Sequence, residues 1–185
     1  LVDIELAGTF LIAGIFILSL LTLNGQIMES NTVNSLNVIA QRNATNIATI
    51  LQTDFRKIGQ GIETATESIQ SISDSSLSFV SDIDQDGFAD TVAYRLGASG
   101  EATGTENAKD RYLYRTLNGS ESDVALGLTR LELTYFDEQG NSTIVPSEIR
   151  MIGISLTVET PFYYQERLGT AEWQGQITPN NLKAI

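Results

Sequence analysis

Between Leu6 and Leu23 the chain runs eighteen residues without a charge, directly after Glu5. As a helix rising about 1.5 Å per residue this stretch spans about 27 Å, close to the hydrocarbon thickness of a bilayer. A helix that is apolar all round has no face to offer water, so it belongs in lipid or among other apolar helices. A carboxylate beside it needs a reason, because a charge at a membrane centre costs about 2.5–3.5 kcal/mol. No Lys or Arg precedes Arg42, so the positive flank that orients most anchors is missing. The basic n-region and terminal small-residue cleavage site of an ordinary signal peptide are missing too.

Asn24-Gly25 follows the apolar run. This pair favours turns and is expected to loosen the helix around residues 20–26. Beyond it, Leu36, Ala40, Ala44, Ile47, Leu51, Phe55, Ile58 and Ile62 recur in steps of three and four, which predicts one apolar stripe on a helix. Asn34, Asn37, Gln41 and Gln52 lie on the opposite face. Gly59 and Gly61 mark the expected stop, so the helix is expected to run to about residue 60.

From residue 68 the period changes to two. SIQSIS, LSFVS, DTVAYRL, RYLYRTL, TRLELTYF and RMIGISLTVET alternate as strands do, and a last strand is expected near Ala171–Ile177. Asp86-Gly87, Asn118-Gly119 and Gly140-Asn141 supply turns. GASGEATGTENAKD, 97–110, reads as a polar, mobile loop. A long helix followed by hairpin-linked strands predicts an α+β fold with an antiparallel sheet lying on the helix stripe. The expected units are 1–25, an apolar half-helix; 26–61, an amphipathic half-helix; and 62–185, a sheet head.

The charge is uneven. The chain has 185 residues, 11 Lys and Arg, 23 Asp and Glu, and a net charge of −12. Residues 1–61 hold four acids (Asp3, Glu5, Glu29, Asp54) and three bases (Arg42, Arg56, Lys57), leaving nineteen acids and eight bases in the head. Such a head repels nucleic acid. The chain has no Cys and no His, which excludes disulfides, thiol chemistry and Ser-His or Cys-His nucleophile pairs. No catalytic function is expected.

The opening resembles the mature N-terminus of type IV pilins and pseudopilins. A prepilin peptidase cuts these before a hydrophobic residue, and they carry Glu at the fifth position. Leu1 and Glu5 stand in those places. The body is similar to PilW-type minor pilins and their type II secretion relatives in LQTDFRKIGQGI, DIDQDGFADTVAYRL, VALGLTRLELTYFDEQG and the closing NNL. The resemblance implies a pilin-like fold and a subunit that polymerises through its apolar helix. It implies residence in the bacterial inner membrane before assembly and in an extracellular filament on the cell surface afterwards. Its expected partners are further copies of itself, the prepilin peptidase and the pilus assembly machinery. For Glu5 the resemblance implies pairing with the α-amine of Leu1, on its own or a neighbouring subunit. Two other readings stay open: a low-copy minor pilin or pseudopilin of a tip or priming complex or type II secretion system, and a membrane-tethered calcium-binding domain.

The stretch DIDQDGFAD, 82–90, places Asp82, Asp84 and Asp86 at positions 1, 3 and 5 of a calcium loop, Gly87 at 6, the Phe88 carbonyl at 7 and Asp90 at 9. The acid expected at position 12 is replaced by Ala93. Calcium held there and a solvated acidic turn are both compatible with the pattern. Phe162, Tyr163, Tyr164 and Trp173 are expected to cover the sheet rather than form an adhesive patch.

Overall fold

The computed structural model describes residues 2–182 and has one long helix, α1 (Val2–Phe55), followed by seven strands. These are β1 (Ile69–Ile72), β2 (Ser76–Ser81), β3 (Asp90–Leu96), β4 (Arg111–Leu117), β5 (Ser120–Phe136), β6 (Met151–Glu159) and β7 (Thr170–Ile177). Each strand pairs antiparallel with the next, so spatial order equals chain order and β1 and β7 form the edges. The sheet curls: the Leu133 amide in β5 donates to Asp74 O in the β1–β2 turn at 2.7 Å. The Tyr135 hydroxyl donates to Ser73 O at 2.9 Å and lies 3.1 Å from Ser76 O. The chain is therefore α+β, as its change of period predicts.

The stripe on α1 is the core. Leu36, Ala40, Ala44, Ile47, Ala48, Leu51 and Phe55 are buried against the sheet, and Ile58 continues the row in the turn beyond the helix. All but Leu36 meet Leu77 and Phe79 of β2, Val92 and Tyr94 of β3, Leu113 of β4, Leu131 and Leu133 of β5, and Ile152, Ile154, Leu156 and Val158 of β6 within one cluster. Phe55 stands edge-on to Phe79 and Tyr94, with centroids 6.1 and 5.6 Å away, the arrangement that ring quadrupoles favour. The helix ends at Phe55, earlier than the expected residue 60. The chain then turns through 56–61, with Gly59 and Gly61 at φ 75° and 70°.

β5 is twice as long as its alternating core TRLELTYF suggests, because it serves two partners. Its first half pairs with β4 and its second with β6, and Leu128 faces both Arg111 and Val158. The pivot is Gly127, at φ 96°. A Cβ there would lie 3.2 Å from Glu159 O, so the left-handed bulge and the close strand both require glycine.

A polar fastening joins α1 to the sheet. Buried Asp54 accepts from the Tyr94 hydroxyl at 2.7 Å and from Arg115 Nε at 2.8 Å, both at Oδ2. Burial, then the Asp54 charge, holds the Tyr94 hydroxyl far above the usual phenol range. Burial likewise raises Tyr135 well above that range. Asp54→Ala strands Arg115 and is expected to cost about 2–3 kcal/mol, somewhat less than a fully buried pair because Arg115 is partly exposed. The thermal midpoint of the detergent-solubilised chain measures it. Raised tyrosine values mean that both phenols stay protonated in the folded chain while their unfolded counterparts ionise. Stability contributed by these groups is thus complete below pH 10 and falls above it, by about 2.7 kcal/mol per pH unit for the pair. Tyr94→Phe is expected to halve that alkaline slope in denaturant titrations.

Candidate functional site: an exposed apolar half-helix and an acidic loop

The head fully buries α1 side chains only from Leu36 onward. Large apolar side chains from Ile4 to Met28 stand 49–78% exposed. The exposed part, residues 3–35, is about 50 Å long and includes a segment long and apolar enough to cross a membrane. Residues 26–35, expected to belong to the amphipathic half, are largely exposed as well, with Glu29, Thr32 and Val33 half-buried.

The expected helix break at Asn24 and Gly25 is absent: α1 continues through both. An interior Gly costs only about 1 kcal/mol relative to Ala and Asn less. A helix already nucleated on both sides carries that cost. Nothing lies within 4 Å of a Cβ built on Gly25, so no packing in the single chain requires glycine there.

Glu5 sits in the first turn of α1 with Asp3, where carboxylates complement the helix dipole. Among the described residues, no hydrogen bond or ion pair engages its carboxylate; the Thr9 hydroxyl donates to its backbone carbonyl at 2.9 Å. Leu1, its expected partner, lies outside the described residues.

The 82–90 loop sits where α1 ends. The Asp82 amide donates to Gln60 O at 2.8 Å, and Lys57 Nζ donates to Ile83 O at 3.1 Å. Asp82, Asp84 and Asp86 each offer an oxygen within 4.8 Å of the others. These carboxylates also accept from the loop's own backbone. Asp82 accepts from the Asp86 and Gly87 amides, both at 3.1 Å; Asp84 accepts from Asp86 at 3.3 Å; and Asp86 accepts from Phe88 at 2.8 Å. Asp90 does not join the three. Its oxygens accept from the Ile83 amide at 3.1 Å and Asn118 Nδ2 at 2.7 Å, stapling the loop to the β4–β5 turn. The Phe88 side chain is 75% exposed. The arrangement has hard oxygen donors of the kind calcium takes, three converging carboxylates in place of the longer expected set, and N–H bonds that shape it unaided.

The aromatic residues divide. Trp173 and Tyr164 are half-buried, whereas Phe162 and Tyr163 are exposed rather than covering the sheet. The loop 97–110, read as mobile, is tied down: Ala102, Asn107 and Asp110 are buried, and the Glu106 and Asn107 amides donate to Pro161 O at 2.9 and 3.3 Å. Its polar composition hides these anchors, since their partners, Pro161 and Glu159, lie far along the chain.

The base of the head is fixed by a second close approach. Gly169 lies against Leu36 so tightly that a methyl there would enter the helix backbone. The Thr170 amide donates to Asn37 Oδ1 at 3.3 Å, and Arg167 pairs with Glu29 at 3.2 Å. A shallow groove of about 560 Å³ runs over β5–β7; its one ionisable lining group, Glu132, is held by Arg130 at 2.6 Å. No family model, curated protein or solved structure matches the chain.

Proposed function

We propose that the chain is a structural subunit of an extracellular, type IV pilus-like filament that polymerises through α1. One observation carries this reading: a single continuous helix is bare and apolar all round for its first half and one-sided under a sheet for its second. Such a helix suits two environments in turn, lipid before assembly and a bundle of identical helices afterwards. The same surface meeting a different surface of the next copy, without closure, builds a fibre. The acidic head stays outside and soluble. The proposed partners are further copies of the chain, a prepilin peptidase and an assembly machinery in the bacterial inner membrane.

Glu5 has the assembly role in this reading. Its carboxylate, among exposed apolar side chains, is stable in a dry core only opposite a positive group. Glu5→Ala is expected to leave the head folded and membrane insertion intact while reducing sheared filaments at least tenfold. Electron microscopy and immunoblotting of the sheared fraction measure this, and normal filament yield refutes the role. Mass spectrometry of the fibres tests the subunit reading itself. A trace amount of this chain assigns it to a tip or priming complex, and a chain that stays monomeric in detergent and never shears from cells is a tethered domain.

In the 82–90 loop, calcium held by Asp82, Asp84 and Asp86 would stiffen the end of α1. The expected result is a rise in thermal midpoint in millimolar calcium that Asp84→Ala diminishes. An unchanged midpoint leaves the loop held by its own N–H bonds alone.

A further inference from the structure

A second cluster of oxygens lies at the other end of the head, where the 97–110 loop enters β4. Asp110 is 1% exposed, and both its carboxylate oxygens are fully buried with no hydrogen-bond partner among the described residues. None of the ion pairs there includes it, and Arg111, the next residue, has a buried Nε that is also unpartnered. A buried, unpaired carboxylate is among the costliest groups a fold can hold.

Oxygen donors gather around it. The Thr105 hydroxyl stands beside it and partly offsets the effect of its burial, but the single hydroxyl proton is also within reach of Ala102 O at 3.2 Å and Asn107 O at 3.3 Å. Glu159, at the end of β6, is close enough that its charge adds to the effect of burial in raising the Asp110 carboxyl above the usual range. Asn107 draws the two segments together: Nδ2 donates to Glu159 Oε2 at 2.9 Å, and its carbonyl accepts the Asp110 amide at 3.0 Å. Lys109 Nζ is 3.7 Å from Glu159 Oε1 and largely in solvent, and among the described residues no ion pair joins Arg111 to either carboxylate. Two carboxylates, a hydroxyl and loop carbonyls thus gather at one place, and among the described residues no cation pairs with Asp110.

We propose that Asp110, Glu159 and the Thr105 hydroxyl form a site for a hard divalent cation, calcium by its all-oxygen donors on an irregular loop, distinct from the 82–90 loop. Calcium accepts six to eight oxygens in flexible geometry, whereas magnesium demands a near-ideal octahedron and keeps its waters. The site has a structural consequence. The Thr160 amide donates to Gly169 O at 2.9 Å, and the Gly169 amide donates to the Thr160 hydroxyl at 3.0 Å. Gly169 rests on Leu36 of α1. A cation binding Glu159 and Asp110 therefore tightens the strap that seats the helix in the head.

The test uses the full chain in detergent with Asp84→Asn, which disarms the 82–90 loop through an exposed residue. Thermal midpoints are measured in EDTA, calcium and magnesium. Calcium about a hundredfold above its dissociation constant is expected to raise the midpoint by about 5–10 °C, with magnesium well behind. Adding Asp110→Asn is expected to abolish the rise, yet to melt no lower than its parent in EDTA, because it removes an unpaired buried charge. Glu159→Gln, which keeps an oxygen for Asn107, is expected to shift the calcium midpoint concentration at least tenfold upward, and it serves if Asp110→Asn does not fold. No response up to about 10 mM calcium, above the weakest range of such sites, overturns the proposal. So do an equal response to magnesium, a response retained in both variants, or an Asp110→Asn loss as large in EDTA as in calcium. That last outcome would mean a carboxylate the fold needs by itself.

Discussion

The seating of one face of α1 in the concave side of the sheet is the contact on which the rest of the molecule depends. Leu36 through Ile58 give the sheet its core, and the sheet and the loop between β6 and β7 hold the helix in place. Small residues at Ala40, Ala44 and Ala48 let the strands come close, while Leu51 and Phe55 fill the wider space beneath β2 and β3. Asp54 is the polar exception in this face. With Tyr94 and Arg115 satisfying it, the fastening sets the angular position of the helix, which greasy contact alone specifies loosely.

Much of this is readable in the residues. The stripe appears at the right positions because helical spacing and burial are the same information, and the strands appear because the head alternates cleanly. Leu36, Ala40, Ala44, Ile47, Leu51, Phe55 and Ile58 are all buried as the spacing predicts, whereas Ile62, the last of the predicted row, is half-buried beyond the helix. What stays hidden depends on distant partners. Asp54 looks like one more surface acid until Arg115, sixty-one residues later, reaches it. Asp110 looks like the end of a polar loop until the fold buries it near Glu159, the last residue of β6. Asn24-Gly25 looks like a break because local propensity favours one, and cooperativity along a long helix overrides it.

The acidic loop shows the same limit from the other side. Spacing brings Asp82, Asp84 and Asp86 together, as in a cation loop. Spacing does not reveal that Asp90 is diverted to Asn118 and the Ile83 amide. The sequence pattern of a site and the hydrogen-bond pattern of a turn share their residues here, so the chemistry must be read from what else each oxygen touches.

The two fastenings of α1 lie at opposite ends of the buried half: Gly169 and Thr170 against Leu36 and Asn37, and Arg115 and Tyr94 against Asp54. A tensile load on the bare half-helix is therefore shared. Sliding the helix by one turn, about 5.4 Å, must break the glycine seat and the ion pair together, because a rigid helix moves both by the same amount. The head grips its stalk as a clamp with two jaws, and its resistance to being pulled off is set by their joint failure, not by the greater strength of either.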